Sequence, residues 1–318
     1  MGVGLQFRQI EKYMKLKGIV PPIGTPITSD ERVDEKGLRN LVRYLLESGV
    51  HGIFANGTMG CFALLTDAEQ LRTIEIVADE VDGRVPLVAG VSDSGTKRVI
   101  EKIKQVEKFN IDYLTALPPY YFMLTQESAK SFFRDVAQAA QTPLLVYNNP
   151  GLTKFNFDIA SIVELAGEPN IVGLKESSQD CNRWTKLFEA FRGNDDFSIL
   201  LGTELLIPQG LMMGADGAIG GAHNVAPKFG VELYEAATKG DYGRAFELSR
   251  LLGKVCAIFQ YGEIWGGFEA ALQVLGICDK TVFAPYASAT DEYREQVKKI
   301  LEDCGLLQSE RLAKGQAE

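Results

Sequence analysis

The chain of 318 residues carries 33 Lys and Arg against 42 Asp and Glu, a formal net charge of −9. That balance argues against nucleic acid and anionic membranes as partners, because both reward clustered cations. Five scattered cysteines (Cys61, Cys181, Cys256, Cys278, Cys304) with no C-x-x-C pair, and only two histidines, exclude a disulfide framework and a zinc knuckle. The expectation is a cytoplasmic protein with no metal and no cofactor.

Residues 1–17 read as a short N-terminal extension. They lack the apolar core of a signal peptide, and Gln6 stands where a myristoylation motif after Gly2 wants Ser or Thr. No later stretch reaches the roughly 18 apolar residues of a membrane span. Short apolar runs bounded by Gly, Pro or Asn then recur at 18–23, 52–56, 85–90, 113–117, 143–148, 171–175, 197–202 and 217–220. Their hydrophobicity is continuous rather than alternating, the pattern of parallel strands covered on both faces.

Between the runs, a 3.6-residue period predicts helices over 35–47, 67–81, 96–108, 126–140, 158–165, 182–191 and 204–213. Thr66 followed by Glu69 is a capping box at the start of the second of these, and Thr125 precedes the fourth in the same way. Repeated strand–helix units predict a (β/α)8 TIM barrel over residues 18–225. An open doubly wound sheet shares the alternation, but no G-x-G-x-x-G fingerprint follows the first strand. Residues 226–318 read as a C-terminal helical appendage packed on the barrel, with helices near 227–238, 242–259, 265–275 and 291–303. Phe246, Leu248, Leu251, Leu252, Val255 and Phe259 in that region read as core or subunit interface.

Barrel enzymes gather their chemistry at the C-terminal ends of the strands. The sixth run ends in Gly173-Leu174-Lys175-Glu176-Ser177, an apolar stretch stopped by a lysine. An ammonium at the edge of a low-dielectric interior is expected to shift toward neutrality, and a neutral amine is a nucleophile. A solvated strand-end lysine is the plain alternative. Tyr147 ends the fifth run, one β–α repeat upstream, so the two side chains are placed to meet and the phenol can carry protons for the amine. The pair points to Schiff-base chemistry on a carbonyl substrate.

Other strand ends add polar groups. Asn56-Gly57-Thr58-Met59-Gly60 offers backbone N–H groups that can nest around a carboxylate, or forms only a tight turn. Pro118-Pro119-Tyr120-Tyr121-Phe122 brings aromatics to the mouth. Glu204, after Gly202-Thr203, either faces substrate hydroxyls or caps the next helix. The run Gly217-Ala218-Ile219-Gly220-Gly221 is small enough for substrate or backbone to approach closely. His51 reads as structural, and His223 lies at the mouth end but beyond two glycines.

Gly57-Thr58-x-Gly60, Pro119-Tyr120-Tyr121, Tyr147-Asn148-x-Pro150, Gly173-Leu174-Lys175-Glu176 and Gly214-Ala215-Asp216-Gly217, in this order and spacing, resemble the dihydrodipicolinate synthase / N-acetylneuraminate lyase family of class I, Schiff-base-forming aldolases. The resemblance extends over about residues 18–305. It implies a homotetrameric barrel acting on pyruvate or another 2-oxo acid, with Lys175 forming the imine and Tyr147 shuttling protons. It implies further that Gly57, Thr58 and Met59 hold the carboxylate, and that Thr58 links Tyr147 to a Tyr121 supplied by the neighbouring subunit. Ser177, Gly202, Glu204, Ile219 and Gly221 complete the expected substrate contacts.

Departures from the family pattern narrow the substrate. Leu152 stands where the synthase pattern has an arginine for the aldehyde substrate's carboxylate. That places the chain closer to the neuraminate lyase and sugar-acid aldolase branch, acting at the C3–C4 bond of a 2-oxo-3-deoxy sugar acid or an N-acetylneuraminate-like compound. Against that branch, Leu205 replaces part of an acidic pair and Gly221 replaces a serine. Met59 replaces a second nest hydroxyl, and Cys61, read as a packing thiol, replaces a glutamate. Lys154-Phe155-Asn156-Phe157 is similar to the hydratase-aldolases of the same family that act on aromatic pyruvate adducts. A dehydratase using the same imine, dihydrodipicolinate synthesis, and a non-catalytic 2-oxo acid sensor stay open as alternatives.

Overall fold

The computed structural model describes residues 15–307. Each predicted run contains a parallel strand: β1 (Gly18–Ile19), β2 (Ile53–Ala55), β3 (Leu87–Gly90), β4 (Tyr113–Ala116), β5 (Leu144–Asn148), β6 (Ile171–Glu176), β7 (Ser198–Leu201) and β8 (Gly217–Ala218). They hydrogen-bond in the order β1-β8-β7-β6-β5-β4-β3-β2. The ring closes through a bridge between Pro22 and Phe54, where Ile23 N–H donates to the Phe54 carbonyl and Phe54 N–H to the Pro21 carbonyl. The fold is a (β/α)8 barrel. β1 is shorter than the run 18–23 because Pro21 and Pro22 have no N–H to give to a ladder.

The apolar continuity of the runs has a simple cause. Side chains alternate along each strand between two dry layers. In β5, Leu144 and Val146 face the helices while Leu145 and Tyr147 point into the barrel. Phe54, Val88, Leu200 and Ile219 fill the same interior. Burying each such side chain contributes about 1.5–3 kcal/mol before entropy is counted.

The surrounding helices are α1 (Glu35–Glu47), α2 (Asp67–Val81), α3 (Thr96–Val106), α4 (Gln126–Ala139), a single turn α5 (Pro150–Thr153), α6 (Ile159–Leu165), α7 (Cys181–Ala190) and α8 (Ile207–Met213). The hydroxyls of Thr66 and Thr125 accept from the N–H groups of Glu69 and Ser128, so both predicted caps form. α5 has no counterpart in the sequence reading; it starts with Pro150, whose fixed φ suits a first helical position.

Beyond the barrel come α9 (Pro227–Thr238), α10 (Tyr242–Val255), α11 (Gly266–Val274) and α12 (Asp291–Asp303). The expected helix 242–259 divides, its last turn tightening to a 3-10 segment at Cys256–Gln260. Buried Glu269 of α11 accepts from the N–H groups of Thr281, Val282 and Ala289 and so anchors the following loop. Residues 1–14 of the expected extension lie outside the described residues, while Lys15 pairs with Asp216 at 3.0 Å. No described helix is long and apolar enough to cross a membrane.

Candidate active site

Tyr147 and Lys175 are direct cross-strand partners in the β5–β6 ladder. Parallel register at equivalent strand ends brings both side chains to one spot. Lys175 is only 4% exposed, and its Nζ lies 4.0 Å from the Tyr147 ring centroid and 4.9 Å from that of Phe54. The solvated-lysine reading therefore fails. The Tyr147 hydroxyl is bracketed by Thr58 Oγ1 at 3.3 Å and by Asn149, whose Nδ2 donates at 3.1 Å. Burial pushes the phenol pKa up, but the neighbouring Lys175 charge and the hydrogen bonds from Thr58, Lys175 and Asn149 outweigh it and leave the group below its ordinary value.

A second network, centred on the fully buried Asn148 and Glu176, fixes this pair. Glu176 follows Lys175 and accepts from Asn148 Nδ2 with both oxygens, from Ser178 N–H at 2.8 Å and from Arg183 Nε at 3.1 Å. Asn148 also donates to Asn156 Oδ1 at 2.9 Å. The network ties the ends of β5 and β6 to α7. The sequence reading missed its role: Glu176 stood inside a quoted motif, but nothing in the spacing paired it with Arg183 one helix turn into the next element.

The loop after β2 is built as a backbone nest. Asn56 and Cys61 at its ends are left-handed, with φ of 56° and 52°. A Cβ on Gly57 would meet the Phe54 ring at 2.8 Å, and one on Gly60 would meet the Ile23 carbonyl at 3.0 Å, so both positions require glycine. Among the described residues no acceptor takes the backbone N–H of Gly57, Thr58 or Met59. Three successive unpartnered donors in a largely buried loop leave N–H groups that a carboxylate could satisfy. The Trp265 indole, 207 residues away in sequence, donates to the Thr58 carbonyl at 3.4 Å and holds the loop from outside. Burial pushes the Cys61 thiol up to about 12, which fits a packing role.

The other expected residues divide. Ile219 lies in the barrel interior with Tyr147. Ser177 packs against Gly202, where any Cβ would strike its hydroxyl at 1.8 Å. Glu204 does not cap the next helix: its carboxylate crosses to the turn after β8, accepts from Ala222 N–H at 3.0 Å and packs on Gly220. Met59 turns toward Gly221, where a Cβ would lie 2.7 Å from its Sδ. The methionine thus fills the space that the missing serine side chain leaves. Tyr121 is 89% exposed with φ of 87°, its ring edge-on to Phe122, and among the described residues its hydroxyl has no hydrogen-bond partner. His223 points away from the mouth toward Gly230 of α9 and Ile19. His51 Nδ1 accepts from Ile19 N–H at the far end of the barrel, as a structural group. Among the described residues no group of three or more His, Cys, Asp or Glu could hold a metal ion.

A buried amine against a phenol, beside a turn of unpartnered N–H donors at the strand ends of a (β/α)8 barrel, fits a lyase of the Schiff-base-forming aldolase type. The chain belongs to the dihydrodipicolinate synthetase family, whose model matches residues 15–304. It is 35% identical over 297 residues to the 4-hydroxy-tetrahydrodipicolinate synthase of Methanopyrus kandleri, covering 92% of this chain and 98% of that one. An uncharacterized DapA-like lyase of Thermofilum pendens is 30% identical over 293 residues, covering 91% and 97%. Among solved structures, a prophage protein of the family from E. coli K12 in complex with pyruvate superposes with a TM-score of 0.87 at 26% identity, over 92% of this chain and 99% of that one. Dihydrodipicolinate synthase from Aquifex aeolicus gives 0.85 at 28% identity, over 91% and 98%.

Proposed function

We propose that the chain condenses Lys175 with pyruvate or a related 2-oxo acid and makes or breaks the C3–C4 bond of a 4-hydroxy-2-oxo acid. One observation carries this reading: Lys175 Nζ sits over the Tyr147 ring, and the Tyr147 hydroxyl is bonded to Thr58 of the unpartnered nest. The nest N–H groups hold the carboxylate while the amine attacks the adjacent ketone carbon and water leaves. The resulting iminium is an electron sink, so C3 gives up a proton or an aldehyde and becomes the enamine. Tyr147 moves protons between substrate oxygen and Thr58.

The exposed Tyr121 reaches the Thr58 hydroxyl of a second copy in a homotetramer, completing a path for protons to solvent. Its strained φ and the exposed Phe122 and Met123 beside it support such an interface. Five free cysteines fit a cytoplasmic setting.

The sugar-acid or neuraminate reading of the acceptor draws on Glu204 as a partner for hydroxyls and on the neutral Leu152. Dihydrodipicolinate synthesis is the second reading, favoured by the name of the relative from Methanopyrus kandleri and opposed by Leu152. The test is pyruvate release, followed with coupled lactate dehydrogenase, from 2-oxo-3-deoxy sugar acids, N-acetylneuraminate and simpler 4-hydroxy-2-oxo acids. Release from at least one is expected. Loss of water without pyruvate assigns the dehydratase instead, and pyruvate binding without turnover on any of them assigns a sensor.

A further inference from the structure

A cavity of about 570 Å³ opens at the mouth beside the Tyr147–Thr58 pair. Thr58 lines it. Leu152 and Thr153 of α5 form one wall, and α5 directly follows Asn149, the other partner of the Tyr147 hydroxyl. Phe62 and Tyr120, edge-to-face at 6.1 Å, also line it, with Ile264 and Trp265 from the C-terminal region and the phenols of Tyr121 and Tyr286. No lysine, arginine or histidine is among its described lining residues, and the single charged one is Glu263.

We infer that this cavity is the acceptor subsite and that it selects aldehydes with an aromatic or branched aliphatic body and no carboxylate. The inference rests on the aldolase reading above and names its second substrate. When the enamine C3 bonds to the aldehyde carbon, the carbonyl electron pair moves to oxygen, which takes the Tyr147 proton. Water then adds to the iminium and releases Lys175 as the amine, so pyruvate and R–CHO give one 4-hydroxy-2-oxo acid. The aldehyde oxygen must therefore sit at the Tyr147 hydroxyl, and R extends past Thr58 and Asn149 into the cavity.

A carboxylate on R loses its hydration there, finds no cation and faces Glu263. A polyhydroxylated R meets mostly carbon. An aryl or branched alkyl R replaces poorly bonded water against Leu152, Phe62 and Trp265. The Tyr121–Met123 loop of the second copy, which the proposed tetramer brings to Thr58, adds one phenol, two apolar side chains and no cation.

The experiment measures condensation of pyruvate with benzaldehyde, isobutyraldehyde, D-glyceraldehyde and succinic semialdehyde, alongside borohydride trapping of pyruvate on the same protein. The expected kcat/KM for benzaldehyde exceeds those for glyceraldehyde and succinic semialdehyde by about 10-fold or more, the discrimination an apolar pocket achieves. Leu152→Arg, at a 61% exposed position, reverses the order of benzaldehyde and succinic semialdehyde. Ile264→Gln is the independent second variant and lowers kcat/KM for benzaldehyde without gain for succinic semialdehyde. If pyruvate is trapped but glyceraldehyde or succinic semialdehyde is preferred by the unaltered protein, the acceptor inference falls and the aldolase reading stands. If pyruvate is not trapped, the aldolase reading falls and takes the inference with it.

Discussion

The half of the mouth proposed to hold pyruvate and the half proposed to take the acceptor are built on opposite principles. Tyr147, Lys175 and Glu176 sit on two adjacent strands, in register, with charged and polar groups bonded to one another. Leu152, Phe62, Ile264 and Trp265 come from a one-turn helix, a 3-10 turn and the C-terminal region, and line one mostly apolar space. Strand ladders place the groups that do the bond chemistry to within the tolerance that chemistry needs. Loops carry the groups that choose a partner, and they can change without disturbing the ladder.

The largest test of this contrast is Lys175→Arg. A guanidinium stays protonated and cannot form the imine, so turnover should fall by on the order of 10⁴-fold or more, as when a nucleophile is removed, and measurable aldol turnover by this variant would break the assignment. Tyr147→Phe should lower kcat by roughly 10²–10⁴-fold, the range for a lost general acid–base. The Tyr147 phenol is held below its ordinary value, so the alkaline fall in kcat/KM should come before pH 10, and Thr58→Val should move that fall to higher pH by removing one of the bonds that lowers it.

Glu176→Gln leaves the Arg183 charge buried with a weaker acceptor. Breaking a buried pair of this kind costs about 3–5 kcal/mol, measured as a drop in urea unfolding free energy, whereas Leu152 substitutions on the acceptor half should change it by less than about 0.5 kcal/mol. An equal loss for both would erase the distinction.

A smaller effect contrasts Lys175 with another deeply buried base. His223 has both ring nitrogens unpartnered among the described residues, and burial pushes its pKa down to about 4. Its folded value lies below the unfolded one near 6.5, so the unfolded chain binds the extra proton. The stability is therefore complete above about pH 6.5 and is lost as pH falls toward 4, by ~3 kcal/mol at about 1.4 kcal/mol for each factor of ten. His223→Leu should flatten the acid side of the stability profile by that amount; an unchanged slope would contradict the buried neutral imidazole.

How much of this was legible in the sequence follows from the same division. The barrel and the Tyr147–Lys175 pair were readable because a strand repeat with helices between them leaves one register, and Lys175 and Tyr147 end equivalent runs. The tight turn after β2 was readable from Gly57 and Gly60, at both of which a Cβ would clash. The Glu176–Arg183 pair was not, because a strand-to-helix contact obeys neither the period of two nor that of 3.6. Trp265 against Thr58 joins groups 207 residues apart with no motif between them. Met59 and Gly221 did leave a signal: both depart from the family pattern, one by gaining bulk and one by losing it, and the structure packs the first into the space of the second.

The most direct measurement of the central claim is reductive trapping. Incubated with pyruvate and borohydride, digested and mapped by mass spectrometry, the protein should carry one reduced pyruvate adduct on Lys175, and the Lys175→Arg variant should carry none. An adduct absent from the unaltered protein, or found on another lysine such as Lys130 or Lys102, would contradict the account.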